Sequence, residues 1–334
     1  MARPKHKINQ LKRHLQQFVK KRPKVSCQYP VEVCQMPTVE NHSIQKKGPL
    51  KKLADSHGKV LQFKMHLTFD QPPTAVIKPV GIGEATTFYC LCGEHDNEMW
   101  KQIEGFDIDP ANIEQSFLLG YRAYLRDYYF KLCEVDMSQK ACDYLGNDQE
   151  FSATVRKVSF EYLKRAKFGL SRFEQLKKEF EKSYVDKSWA EAFSFLFFEI
   201  AGPHTLAVSS AFTPYYDFQK QEVNDMRLGS LRSLNVIVIN AFPHNENTLV
   251  SICISKRHLS ELLTIWTRLK TVRGTQLELD LSDLILRNCE NFVMSEAFWK
   301  TLSSDRRRAI EQFFNDTVGY KTPSFPGLKA NLFR

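Results

Sequence analysis

Cysteine and histidine recur along the first hundred residues at spacings that suit a soft metal ion. Cys92 and His95 stand at i and i+3 in Cys90-Leu-Cys92-Gly-Glu-His95-Asp96-Asn97, so both can face one centre from the start of a helix. Cys27 and Cys34 lie upstream on a polar approach and are the natural completing ligands, with Cys90 as the substitute. Three thiolates and an imidazole make a closed tetrahedral zinc site. The competing reading treats the cysteines as small buried hydrophobes and His95 as an ordinary hydrogen-bonded histidine.

The surrounding elements must hold these residues together. Pro23, Pro30 and Pro37 discourage a helix and predict extended or turning backbone around Cys27 and Cys34, as a ligand loop requires. Residues 48–54 read as a short helix, and residues 60–68 alternate apolar and polar side chains as a half-buried strand does, until Pro72 and Pro73 break it. His57-Gly58 reads as a turn, and residues 97–104 as the helix that follows the Cys92/His95 step.

Charge is concentrated at the same end. Residues 1–53 hold 13 Lys and Arg against Glu32 and Glu40, a net +11, so the other 281 residues carry −2. Clustered cations gain from neutralising phosphates and releasing counterions, which makes nucleic acid, DNA ahead of RNA, the leading partner. Ile8, Leu11, Leu15, Phe18 and Val19 recur at helical spacing, with Lys5, Lys7, Lys12, Arg13, Lys20 and Lys21 between them, so residues 1–24 read as a basic amphipathic helix. Such a helix either docks its apolar stripe on its own protein or lies along a phosphate backbone, with an anionic membrane surface or an acidic protein as further partners.

The ordered series of cysteines, His42-Ser43-Ile44, residues 50–54, Gly81-Ile82, Ala85-Thr86-Thr87 and Cys92-Gly-Glu-His95-Asp96-Asn97 with Ile103-Glu104 resembles an uncharacterised group of bacterial proteins. In that group a Ser-His-(Ser/Thr)-Ile segment precedes a Phe-Cys-x-x-His-Asp element, an arrangement similar to zinc-bearing His-Asn-His (HNH) nuclease domains. Residues 206–214 and 290–295 extend the resemblance over most of the chain. It implies a zinc-bearing, HNH-like endonuclease, with an associated role in phage defence or on mobile elements. The chain departs from the pattern in two places: six residues separate Cys27 from Cys34 where a close C-x-x-C is expected, and Asn41 stands where Ser or Asp is usual.

His42 carries the sharpest chemical expectation. A metal-assisted phosphodiesterase needs a neutral histidine to deprotonate water, and polar groups to hold Mg²⁺ or Mn²⁺ near the scissile phosphate. Asp96 and Asn97 are the candidates for the second task. The alternatives for His42 are a fourth zinc ligand or a hydrogen-bonded loop residue.

From Asp107 the character changes. Asp109 as an N-cap and Pro110 in the first turn open a helix whose apolar face is Ile113, Phe117, Leu118, Tyr121, Leu125, Tyr128 and Leu132. Residues 151–184 repeat the pattern, so a helical hairpin is expected around residues 143–149, its tyrosines in the core and its lysines mostly in solvent. Beyond it, residues 193–200, 205–212, 234–242 and 248–256 are strand-like, the last pair a hairpin. Helices are expected over residues 259–270, 279–289 and 305–318, with Ser304 as the cap of the last. No glycine-rich phosphate loop, paired catalytic carboxylates or nucleophile elbow occurs in this last third.

The expected fold is α+β: a basic helix over residues 1–24, a small zinc-stapled domain over 25–104, a helical region over 105–185 and an antiparallel sheet with helices over 186–334. The last of these is the candidate surface for a protein partner. No run is long and apolar enough for a membrane span, and eight scattered cysteines suit a reducing compartment, so the cytoplasm is expected. The expected function is that of a zinc-containing nucleic-acid-binding protein with HNH-like endonuclease chemistry as its extension. A non-catalytic zinc interaction module in a protein complex is the alternative.

Overall fold

A computed structural model describes residues 23, 25–66, 74–104, 107–147, 153–225, 227, 230, 232, 234–317 and 330–334. The basic segment with Lys5, Lys7, Lys12, Arg13, Lys20 and Lys21 lies outside the described residues.

The protein is α+β, as expected. Its main sheet has seven strands, every neighbouring pair antiparallel: β2 (Lys59–His66), β3 (Thr74–Gly81), β5 (Phe193–Ala201), β6 (Leu206–Phe212), β7 (Ile237–His244), β8 (Asn247–Ser255) and β9 (Phe292–Met294), in the order β3-β2-β9-β6-β7-β8-β5. A separate two-stranded ribbon pairs β1 (Asn41–His42) with β4 (Thr87–Phe88). Three short helices, α1 (Lys51–Leu53), α5 (Trp189–Ala192) and α8 (Glu296–Thr301), lie next to strands in the chain.

The central strands read as nearly continuous apolar runs because they are covered on both faces. On one face, Ala211, Val238 and Cys253 pack under a helical hairpin made of α3 (Ile113–Asn147) and α4 (Ala153–Asp186). On the other, Ile237, Ile239, Ile252 and Ile254 meet α6 (Leu263–Thr271), α7 (Gly274–Asn288) and α9 (Ser304–Thr317). Most tyrosines of α3 are core residues: Tyr121, Tyr124 and Tyr129 are fully buried and pack among Phe117, Phe173, Phe180 and Phe88. α3 comes so close to β8 that a Cβ at Gly120 would lie 3.1 Å from the side chain of Cys253. Such an approach leaves little room for any larger residue.

β7 and β8 form the expected hairpin, turning through Asn245, whose φ of 49° is the left-handed conformation that asparagine tolerates. β3 and β9 were not foreseen. Pro79 fits in β3 because that strand is an edge, paired only to β2. The backbone of β3 at Ala75 is in turn occupied by the side-chain amide of Asn315 from α9, which donates to the Ala75 carbonyl and accepts from its N–H. β9 has only three residues, yet it pairs Leu61 and Gln62 of β2 on one side and residues 206–208 of β6 on the other. Two strands from residues 25–104 thereby share a sheet with five from residues 186–334.

Two caps differ from expectation by a few residues. Asn112 caps α3 by accepting from Gln115 N–H, while Asp109 closes the preceding turn through Ala111 N–H. Ser303, one residue before the expected Ser304, accepts from Arg306 N–H at the start of α9.

Candidate metal centre

The segment 90–91 runs between two extended pieces of chain. Gln28 N–H donates to the Cys90 carbonyl and Val39 N–H to the Leu91 carbonyl, so the loop carrying Cys27 and Cys34 is pinned at both ends on the strand leading to Cys92. A bridge between Ser26 and Pro37 and the bond from Thr38 Oγ1 to the Val25 carbonyl close the loop at its base. α2 (Gly93–Glu104) then starts directly after Cys92, burying His95, Met99, Trp100 and Ile103 at helical spacing.

Cys27, Cys34, Cys92 and His95 converge, their ligand atoms all within 4.8 Å of one another. His95 Nδ1 lies 3.4 Å from the sulfurs of both Cys27 and Cys92, and the sulfurs of Cys34 and Cys92 are 3.9 Å apart. A tetrahedral site with roughly 2.3 Å zinc–sulfur and roughly 2.0 Å zinc–nitrogen bonds has edges of about 3.8 Å and 3.6 Å. The observed spacings fit that tetrahedron, whereas a disulfide brings its sulfurs to about 2.05 Å. These residues could therefore hold a metal ion such as zinc, with His95 binding through Nδ1. Four protein ligands would fill the tetrahedron, which is the arrangement of structural sites.

Further groups orient His95. Tyr29 stacks on its ring with centroids 3.8 Å apart, and the Tyr29 hydroxyl donates to Glu98 at 2.6 Å. Glu32, between the two loop cysteines, sets a carboxylate oxygen 3.7 Å from Nε2, on the side of the ring where a second-partner carboxylate of a ligating imidazole stands. Burial pushes the Cys27 thiol up to about 11. Burial acts the same way on Cys92, but the N–H groups of His95 and Glu94 and the neighbouring thiols of Cys34 and Cys27 bring it below its ordinary value. Cys90 is not part of the cluster; its buried sulfur points to the Leu125 carbonyl at 3.6 Å.

Asn41 explains why the approach is so well fixed. Almost wholly buried, its side-chain oxygen accepts from the N–H groups of both Cys90 and Leu91, and its amide donates to the Leu91 carbonyl. Asn41→Ala strands two buried donors and is expected to cost on the order of 2–5 kcal/mol of unfolding free energy. Asn41→Asp keeps the accepting oxygen and should lose less. Urea unfolding of the two variants checks this, and a loss below about 0.5 kcal/mol in the alanine variant refutes it.

His42, the next residue on β1, is half-buried. Its Nδ1 lies 3.2 Å from the Ala85 carbonyl, and since a carbonyl only accepts, Nδ1 carries the proton and Nε2 the free lone pair. Burial holds its pKa below the ordinary value, with the Arg122 charge adding to the effect. The turn opposite is held by Thr86, a β-branched residue at φ 62°, whose carbonyl accepts from both the N–H and the hydroxyl of Ser43. Asp96, the first residue after His95, is half-buried too, and burial raises its pKa while Arg122 opposes the rise. Arg122 itself is buried, ion-paired to Glu104 and placed 5.5 Å over the Trp100 ring. Asn97 is exposed on α2. The structure thus places Arg122 in the electrostatic surroundings of both His42 and Asp96.

Tyr29, Glu32 and Arg122 were not singled out as site residues from the sequence, and Glu104 entered only as part of the resemblance. Glu32 alone had a signal, as an acid lying between two candidate ligands. Fold and site together define an α+β protein with a Cys₃His cluster suited to a metal. Comparison with protein-family models, curated proteins and solved structures gave no match for this chain. No helix among the described residues is long and apolar enough to cross a membrane.

Proposed function

We propose that the chain is a zinc-containing nucleic-acid-binding protein in which the metal centre fixes the point where a basic segment joins the fold. The observation that supports this reading most is the adjacency of the two features. The nine Lys and Arg of residues 1–24, unopposed by any acid, end three residues before the first ligand, Cys27. The Pro23 carbonyl, near the end of that segment, accepts from the Tyr129 hydroxyl of the buried α3.

Binding of full-length protein and of the chain lacking residues 1–24 to DNA and RNA, each at several salt concentrations, tests the reading. The truncated chain is expected to bind every sequence more weakly, with the slope of log K against log salt reduced by about 0.9 for each duplex phosphate that the segment neutralises. Unchanged affinity and slope would overturn it. Metal without nucleic-acid affinity would favour a zinc interaction module in a protein complex. The loop between Cys27 and Cys34 gives that alternative its own support, since Val31 and Val33 are exposed at 56% and 91%.

HNH-like endonuclease activity is the second reading. It is favoured by the Arg122 charge, which acts to lower the pKa of both His42 and Asp96. Here His42 is the base, and Asp96 and Asn97 help hold Mg²⁺ or Mn²⁺. Metal-dependent cutting of DNA or RNA by the full-length protein is the measurement on which it stands or falls.

A further inference from the structure

The first turns of α4 expose a surface that neither the metal centre nor the sheet uses. Between residues 153 and 168, five Lys and Arg oppose the single Glu161. Lys157, Lys164, Arg165 and Lys167 are exposed. Large apolar side chains stand among them: Val158, Phe160 and Tyr162 are 50%, 52% and 67% exposed, with Lys164 Nζ 4.7 Å over the Phe160 ring and 3.1 Å from Glu161. Spacing sorts them. Val158, Tyr162 and Arg165 follow one another at i, i+4 and i+7 and share a face, while Lys157, Glu161 and Lys164 form the adjacent row. Inward-facing Leu163 and Ala166 are buried, so the exposed row is not the seam of the hairpin.

We propose that this face of α4 binds single-stranded nucleic acid, with Lys157, Lys164 and Arg165 on phosphates and Tyr162 as a platform on which an unpaired base stacks. The inference rests on the nucleic-acid-binding reading above and extends it to a second surface and a strand preference. Cations interleaved with an open aromatic ring are the elements of single-strand recognition, because every unpaired base offers a π face and every linkage a charge. A duplex keeps its bases stacked inside and offers the ring nothing. A second copy of the chain fits poorly, because a two-fold contact through this face would set its cations against the same cations.

The test uses full-length protein, a single-stranded oligonucleotide and a duplex of equal length, with binding followed by fluorescence anisotropy. Tyr162→Ala should weaken single-strand binding about fivefold to a hundredfold, leave the salt slope and duplex binding unchanged, and be rescued by Tyr162→Phe. The charge reversal K157E/K164E/R165E should lower the single-strand slope by about 2, at roughly 0.7 per neutralised phosphate. Circular dichroism and metal content confirm that each variant folds. If full-length protein binds while all of these variants match it, the α4 proposal fails and the broader reading survives. If full-length protein binds no nucleic acid, both fail. Variants that alter the sedimentation of the protein and not its binding would assign the face to self-association and overturn the proposal.

Discussion

Cys92→Ser is expected to abolish stoichiometric zinc binding and to unfold the amino-terminal part of the structure. One zinc per chain is the expectation for the native protein, read by elemental analysis. Structural zinc sites contribute apparent binding free energies of about 10–16 kcal/mol near neutral pH, and this free energy is coupled to folding. The cluster has little else to replace it. The loop from Cys27 to Cys34 contributes Cys27 and, partly buried, Cys34 and Tyr29 to the hydrophobic core. The same experiment separates ligand from bystander: Cys90→Ala removes a buried sulfur outside the cluster and should keep the metal, losing only packing and a weak interaction with Leu125. Cobalt substitution adds a spectroscopic check, since a tetrahedral thiolate-rich site gives intense visible absorption. A native protein without metal, or a Cys92→Ser protein that retains it, refutes the assignment.

His42→Ala is the second large effect, and it concerns cleavage. A histidine base contributes typically about 10²- to 10⁴-fold to a rate, so the variant should lose nearly all metal-dependent cutting while keeping its zinc and its fold. The geometry makes the expectation directional. With Nδ1 donating to Ala85, the lone pair on Nε2 is the one that would accept a proton from water. Since burial lowers the His42 pKa, the free base persists below the usual histidine titration, and the acidic limb of the rate profile should lie below about pH 6.5. A His42→Ala protein that loses zinc would show a ligand instead of a base. One that cuts at the native rate would remove His42 from the chemistry.

How much of this was legible in the sequence differs between site and fold for a physical reason. Ligand chemistry is written in residue type, so Cys27, Cys34, Cys92 and His95 could be grouped although 68 residues separate the first from the last. The long hairpin helices were legible because an apolar face recurring at helical spacing from Ile113 to Leu132 is hard to mistake. β3 and β9 were not. A proline-containing edge strand and a three-residue strand carry too little period to announce themselves, and the partners of β9 lie far away in the chain. Asn41 looked like a departure from a motif. Its environment shows that the position needs an accepting oxygen for two backbone N–H groups, a requirement that asparagine and aspartate both meet. Arg122 was hidden for the opposite reason, being one cation on a helix of ordinary composition until the fold turned it inward.

The three residues of β9 also set an order of events in the making of the molecule. Leu61 pairs with Met294 across more than two-thirds of the chain, so the hairpin of β2 and β3 leaves the ribosome with its inner edge open. At typical elongation rates of about 5–20 residues per second, that edge waits roughly ten to fifty seconds for its partner to be synthesised. All four residues of the cysteine-histidine cluster have been synthesised by residue 95. Metal capture can therefore precede sheet closure, giving the nascent chain one fixed point while its longest-range pairing is still to come.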